Sequence, residues 1–257
     1  MVSELQGAII AAGRGERLRR NGEDIPKPLV HIDGETLLTR QARAMMRVGA
    51  REVLAIVNSE TAGIIARDRI ELPDNLRLMV RDTANSMESL LALGEALAPG
   101  NFLLATVDAI IADAEFAKFI EQARALITKS EVRGFDGILG VVKWHGEKKP
   151  LFAKIVADRE IVALGDDEAP PRRRRTRGGA KRSRGKVMVT AGVYLLPNSI
   201  FAFADNARRA QLSALRRFLG MLIDNGIRLG AVELADVIDV DEAADLAAAR
   251  IAVEVRR

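Results

Sequence analysis

Short apolar runs of strand length alternate along the chain with longer stretches in which apolar residues recur at helical spacing. Residues 5 to 12 read as a buried first strand. Residues 36 to 48 carry Leu37, Leu38, Ala42, Met45 and Met46 as one stripe, the mark of a helix with a single apolar face. The same rhythm predicts strands at 52–57, 76–80 and 102–107 and helices at 60–70, 86–97 and about 113–127. Four βα units in succession imply parallel strands joined by helical crossovers.

The pattern changes after residue 130. Residues 137–143, 152–156, 161–164 and 187–196 are β-rich runs with little helix between them, which predicts antiparallel additions to the sheet. Residues 166–185 are rich in Pro, Gly, Arg and Asp with no apolar side chain larger than Ala or Pro, and read as a mobile loop between strands. Helices near 198–208 and 211–224, strands near 227–232 and 236–240, and a final helix from 242 complete the layout. The expected fold is α/β, a Rossmann-like, mostly parallel sheet with antiparallel additions in the second half. It forms one domain over 1–257, with no internal repeat.

Composition changes this picture by exclusion. The 257 residues include no Cys, which removes disulfides, thiolate metal sites and a cysteine nucleophile. A net charge of +4 and a pI near 9.6 would suit a protein that binds polyanions. Nine basic residues, however, fall within Arg172 to Lys186, and the remaining 242 residues carry 30 basic against 35 acidic, or −5. That basic run holds no aromatic ring to stack on a base, so nucleic acid is not an expected partner. The start has no basic leader, and the longest apolar runs fall short of the roughly 18 residues of a membrane span, so the expected location is the cytoplasm.

Candidate chemistry begins just after the first strand. Gly13 and Gly15 form a turn whose backbone N–H groups can approach phosphates, with Arg17 and Lys27 as nearby cations. The dinucleotide fingerprint fails where Leu18 replaces a third Gly, and the P-loop's terminal Gly-Lys-Ser/Thr is missing. Two glycines alone would fit an ordinary strand-to-helix turn equally well. Asp108 follows the strand at 102–107, at the carboxyl end where open parallel sheets bind ligands. A carboxylate there suits Mg²⁺, with a helix N-cap or strand-end turn as the lesser alternative. Asp239 and Asp241 share one face of a short strand, and Asn85 stands three residues before Glu88 in capping-box spacing.

The longer string Gly7-Ala8-Ile9-Ile10-Ala11-Ala12-Gly13-Arg14-Gly15-Glu16-Arg17, followed by Pro26-Lys27-Pro28-Leu29-Val30, resembles the signature of the sugar-phosphate nucleotidyltransferases, or NDP-sugar pyrophosphorylases. The resemblance implies that Ala11, Ala12, Gly13, Arg14 and Gly15 hold an NTP and that Arg17 and Lys27 act on its phosphates. It further implies that Asp108 and Asp239 bind Mg²⁺ and that Asn85 and Ser86 face the nucleobase; Asp241, by its position beside the last helix, is placed to cap that helix, and whether it also joins the metal site stays open. Residues 1–130 become an NTP-binding half and 131–257 an acceptor-binding half. Lys154 to Leu164 and Thr190 to Phe201 resemble inositol-phosphate and related small-alcohol-phosphate cytidylyltransferases, with Lys154 facing an acceptor phosphate and Gly192 allowing its close approach. Ala191, where Thr is expected, and Gly165-Asp166-Asp167, where Lys is common, depart from that pattern. The basic run is then either a solvated loop or a replacement for the missing lysine at the acceptor phosphate.

The implied reaction joins the nucleoside monophosphate of an NTP to a phosphorylated sugar, polyol or alcohol and releases pyrophosphate. A molybdenum-cofactor-type cytidylyltransferase shares the first loop, but the Pro26-Lys27-Pro28 string and the long acceptor half stand against it. A non-catalytic nucleotide-binding subunit would not need Arg17, Lys27, Asp108 and Asp239 together. The base, the acceptor and assembly into a homo-oligomer stay open, and His31 and His145 fall in no catalytic pattern.

Overall fold

A computed structural model describes residues 4–13, 15, 18, 25–128, 134–144, 150–165, 185–235 and 237–255. In chain order, β1 (Gln6–Ala11) is followed by a 3-10 turn over Lys27–Leu29, a hairpin of β2 (His31–Ile32) and β3 (Glu35–Thr36), and α1 (Leu37–Arg47). Next come β4 (Glu52–Val57), α2 (Ser59–Arg67), β5 (Leu76–Val80), α3 (Ser86–Gly94), β6 (Asn101–Thr106), β7 (Ala109–Ile111) and α4 (Asp113–Thr128). The second half contributes β8 (Gly137–Val142), β9 (Phe152–Ile155), β10 (Glu160–Gly165), β11 (Lys186–Pro197), α5 (Ala204–Arg209), α6 (Leu215–Asp224), β12 (Leu229–Glu233), β13 (Val237–Asp239) and α7 (Ala243–Val255).

Nine strands form one sheet in the order β5-β4-β1-β6-β11-β8-β12-β10-β9. The four on the β5 side are mutually parallel, as the βα rhythm requires, and β11 enters antiparallel to β6. Period-2 alternation sends Ile9 and Ala11 of β1 into one core and Ala8 and Ile10 into the other, so this strand is apolar on both faces. Helices α1, α2, α4 and α7 cover the first face, and α3, α5 and α6 the second. Strand β9 pairs with β10 on one side and with β11 on the other, so β11, β8, β12, β10 and β9 close into a ring.

Several boundaries differ from the sequence pattern for local reasons. The stretch at 198–208 divides into a 3-10 segment over Asn198–Phe203 and the short α5. Gln211 has φ +53°, which ends that run and delays α6 to Leu215. The β2–β3 hairpin turns on Asp33 (φ 52°) and Gly34 (φ 78°), a positive-φ pair of the kind that Asp-Gly favours. Strand β11 runs for 12 residues but shifts register between Thr190 and Tyr194, around Gly192 at φ +71°. A Cβ on Gly192 would lie 2.7 Å from Thr106 Oγ1 and 2.8 Å from the Ala109 Cβ. Glycine at this position therefore lets β11 pass close to the β6–β7 junction.

Candidate active site

The β6–β7 junction carries Asp108, and three contacts assemble a cluster around it. Strand β13 pairs antiparallel with β7, placing Asp239 opposite Ala109, and the Val240 N–H donates to the Asp108 carbonyl at 3.1 Å. Asp241 follows directly. One carboxylate oxygen from each of Asp108, Asp239 and Asp241 lies within 4.8 Å of the others. The Lys27 ammonium donates to Asp108 Oδ2 at 2.7 Å and to Asp241 Oδ1 at 2.8 Å. Pro26 sets the 3-10 turn that buries Lys27, Pro28 and Leu29 and aims this lysine at the cluster. The expectation for Asp241 was a cap; its carboxylate joins the cluster, while the N–H groups of Asp241 and Glu242 donate to Asp245 Oδ2.

The electrostatics of the cluster are divided. Burial alone would push Asp108 up, but the Lys27 charge and hydrogen bonds from Lys27 and Thr106 hold its carboxyl below the ordinary value. Burial opposes the charged form of Lys27 as well, yet Asp108 and Asp241 raise its pKa. Asp239 is pushed up to about 7 by the surrounding protein and then by the charges of Asp108 and Asp241. Its side chain reaches solvent across an open cavity. Among the described residues of the cluster, one cation against three carboxylates leaves room for a divalent ion, and an all-oxygen donor set suits Mg²⁺.

Two cavities meet at this cluster and share Ser86, Thr106, Asp108 and Asp241 on their walls. The first, ≈ 860 Å³, runs under Ala12, Gly13 and Gly15 to Lys27 and to Asn85 and Ser86. A Cβ on Gly13 would meet nothing within 4 Å, so that glycine faces open cavity. Gly15 has φ +63°, and a Cβ there would sit 2.9 Å from the Lys27 Cβ, so glycine is what lets the loop lie against the lysine turn. Asn85 accepts from the N–H groups of Met87 and Glu88 and caps α3. Glu88 completes no capping box and instead pairs with Arg208. The Ser86 hydroxyl accepts from the Leu215 N–H, tying α3 to α6.

The second cavity, ≈ 550 Å³, continues past Asp108 and Asp239 to Thr190, Gly192, Tyr194 and Arg216. Of the residues expected from sequence, Ala12, Gly13, Gly15, Lys27, Asn85, Ser86, Asp108, Asp239 and Gly192 line one cavity or the other. The Ala11 side chain instead enters the core, and Lys154 is half-buried on β9 beside Gly185, on neither wall. Arg14, Arg17 and the loop at 166–184 lie outside the described residues. Sequence spacing missed Asn58, whose amide donates to the Ala12 carbonyl and whose oxygen caps α2, and it missed Thr190, Tyr194 and Arg216. The cavity of ≈ 960 Å³ between α4 and strands β8, β9, β11 and β12 is larger but does not contain the acidic cluster.

Residues 7–174 match the family model described as a MobA-like NTP transferase domain, which covers the first loop, Lys27, Asp108 and strands β1 to β10. The chain belongs to this family. It is 36% identical over 61 residues to the UTP–glucose-1-phosphate uridylyltransferase of Haloferax volcanii, a stretch spanning 24% of this chain and 25% of that relative. The fold is similar to that of the inositol-1-phosphate CTP transferase from T. maritima, with TM-score 0.72, 16% identity and coverage of 100% and 98% of the two chains. It is also similar to CTP:phosphocholine cytidylyltransferase from Streptococcus pneumoniae, with TM-score 0.67, 17% identity and coverage of 97% and 99%. The α/β sheet expected from the alternation of elements is thus the sheet of this fold. Among the described residues no helix is long and apolar enough to cross a membrane.

Proposed function

We propose that the protein transfers a nucleoside monophosphate from an NTP to a small phosphorylated sugar, polyol or alcohol, with Mg²⁺ as cofactor. The observation that carries this reading is the junction of two cavities at Asp108: one has a glycine loop and a cation fit for a triphosphate, the other a polar wall fit for a second small substrate. An oxygen of the acceptor phosphate attacks the α-phosphorus, the bond from that phosphorus to the bridging oxygen breaks, and pyrophosphate leaves with that oxygen. The nucleophile is already anionic, so no general base is required. Mg²⁺ held by Asp108, Asp239 and Asp241 would supply Lewis-acid charge neutralisation at the reacting phosphates. Gly13 and Gly15 cradle the polyphosphate, Asn85 and Ser86 face the base, and Lys27 turns its ammonium from the carboxylates toward the phosphate that becomes the leaving group.

A pyrophosphate-release screen tests the reading by crossing CTP, UTP, GTP, ATP and dTTP with hexose 1-phosphates, inositol phosphate, glycerol phosphate and phosphocholine. A productive pair that fails with EDTA and in Asp108→Asn is the expected result. Pyrophosphate release from no pair, with NTP binding intact, would instead favour a non-catalytic nucleotide-binding subunit.

A further inference from the structure

The acceptor-side cavity has an imbalance of charge. Its wall carries Asp108, Asp239, Asp241 and Asp245, and Arg216 is the one cationic side chain among the described residues that line it. A phosphomonoester carries about two negative charges at neutral pH. Lys27 lines the other cavity, and neither it nor Lys154 lies on this wall.

Arg216 is half-buried at the second position of α6, close enough to the buried Tyr194 hydroxyl for its charge to act on that group. The start of α6 has no side-chain cap at Ala214 and no acidic residue in its first turn. A cation in the first turn opposes the helix dipole. An anion in the cavity would face both the guanidinium and the positive end of the helix, and a planar guanidinium can donate two parallel hydrogen bonds to phosphate.

We propose that Arg216 grips the phosphate of the acceptor and makes phosphorylation of the acceptor a condition of binding. This rests on the reading of the site as a nucleotidyl transferase. The assignment moves the role expected of Lys154 from strand β9 to the first turn of α6. Tyr194 and Thr190, on the same wall, are then left to meet the uncharged part of the acceptor.

The test begins with binding, independent of turnover. Trp144 is the only tryptophan of the chain; it stacks edge-on against Phe152 at 5.6 Å and lies two residues beyond Val142 of the cavity wall. Its fluorescence is titrated with glucose 1-phosphate, myo-inositol 1-phosphate, glycerol 3-phosphate and phosphocholine, each against its unphosphorylated parent, in wild type, Arg216→Gln and Arg216→Lys. At least one phosphomonoester should bind wild type, about 10- to 100-fold more weakly to Arg216→Gln, with partial recovery in Arg216→Lys. Equal affinity for wild type and Arg216→Gln, equal loss for the unphosphorylated parent, or no phosphomonoester binding to wild type would each overturn the proposal.

For any pair that turns over, Arg216→Gln should raise the acceptor KM by a similar factor and leave the NTP KM unchanged. An unchanged acceptor KM overturns the role of Arg216 while the transferase reading stands. Phosphate-dependent binding without turnover of any pair keeps the Arg216 grip and overturns the transferase reading.

Discussion

Replacing Lys27 by Met keeps most of the side-chain volume and removes the charge that holds Asp108 and Asp241 together. The Lys27 side chain is 10% exposed, against 24% for Asp108 and 40% for Asp241. Removing one partner of a buried ion pair costs about 3–5 kcal/mol, and the partial exposure of both carboxylates reduces this to about 2–3 kcal/mol at neutral pH. For a chain of this size that lowers Tm by about 4–12 °C. The pH dependence has a definite sign. The depressed Asp108 pKa gives stability present above the ordinary carboxylate pKa and lost as pH falls through the folded value. The raised Lys27 pKa gives stability present below 10.5 and lost only as pH rises through the folded value. The gap between wild type and variant should therefore be widest from about pH 5 to pH 9 and shrink below about pH 4. Thermal melts across that range, with EDTA or saturating Mg²⁺, measure both effects. Mg²⁺ should stabilise the variant more than wild type, because it meets three uncompensated carboxylates. A Tm loss that is absent at pH 7 or is untouched by Mg²⁺ would refute the reasoning.

Asp239→Asn should stabilise the metal-free protein by about 1–2 kcal/mol near pH 8, once solvent screening is allowed for. A raised carboxylate pKa gives stability present below the unfolded value and lost as pH rises through about 7, so the advantage should vanish near pH 4 while Mg²⁺-induced stabilisation is lost. A thermal melt on either side of that range decides it. Asn85→Ala removes an acceptor for two N–H groups of α3 and should cost about 1 kcal/mol, or about 2–4 °C in Tm, together with a raised NTP KM. Gly192→Ala combines a left-handed backbone with contacts of 2.7 and 2.8 Å and should cost more than about 2 kcal/mol by denaturant melt. Gly13→Ala meets nothing within 4 Å, so its Tm should match wild type while the NTP KM rises.

Much of the fold was legible because β1, β4 and β6 are buried on both faces and flanked by helices with clear stripes. The glycine loop, Lys27 and Asp108 could be read from one dense string and one strand end. Less legible were roles fixed by contacts distant in sequence. The partnership of Lys27 with Asp241 spans 214 positions, and nothing local distinguishes an aspartate that joins a carboxylate cluster from one placed to cap a helix. The hairpin at Asp33-Gly34 did carry a local signal, the dipeptide itself, which the apolar pattern overshadows. Arg216 is an ordinary helical arginine by spacing and acquires meaning only when α6 is seen to begin at the cavity wall.

The ring that β9 closes bears on how copies of this chain can meet. An open sheet of nine strands would offer two unpaired borders to a strand from another molecule. Because β9 is paired on both sides, among the described residues the sheet keeps only the border of β5, a five-residue strand introduced by Pro73 and Asp74. Strand-to-strand association through this sheet is thereby confined to the flank farthest from the acceptor cavity, and a growing β-stack could not obstruct the acceptor's way in.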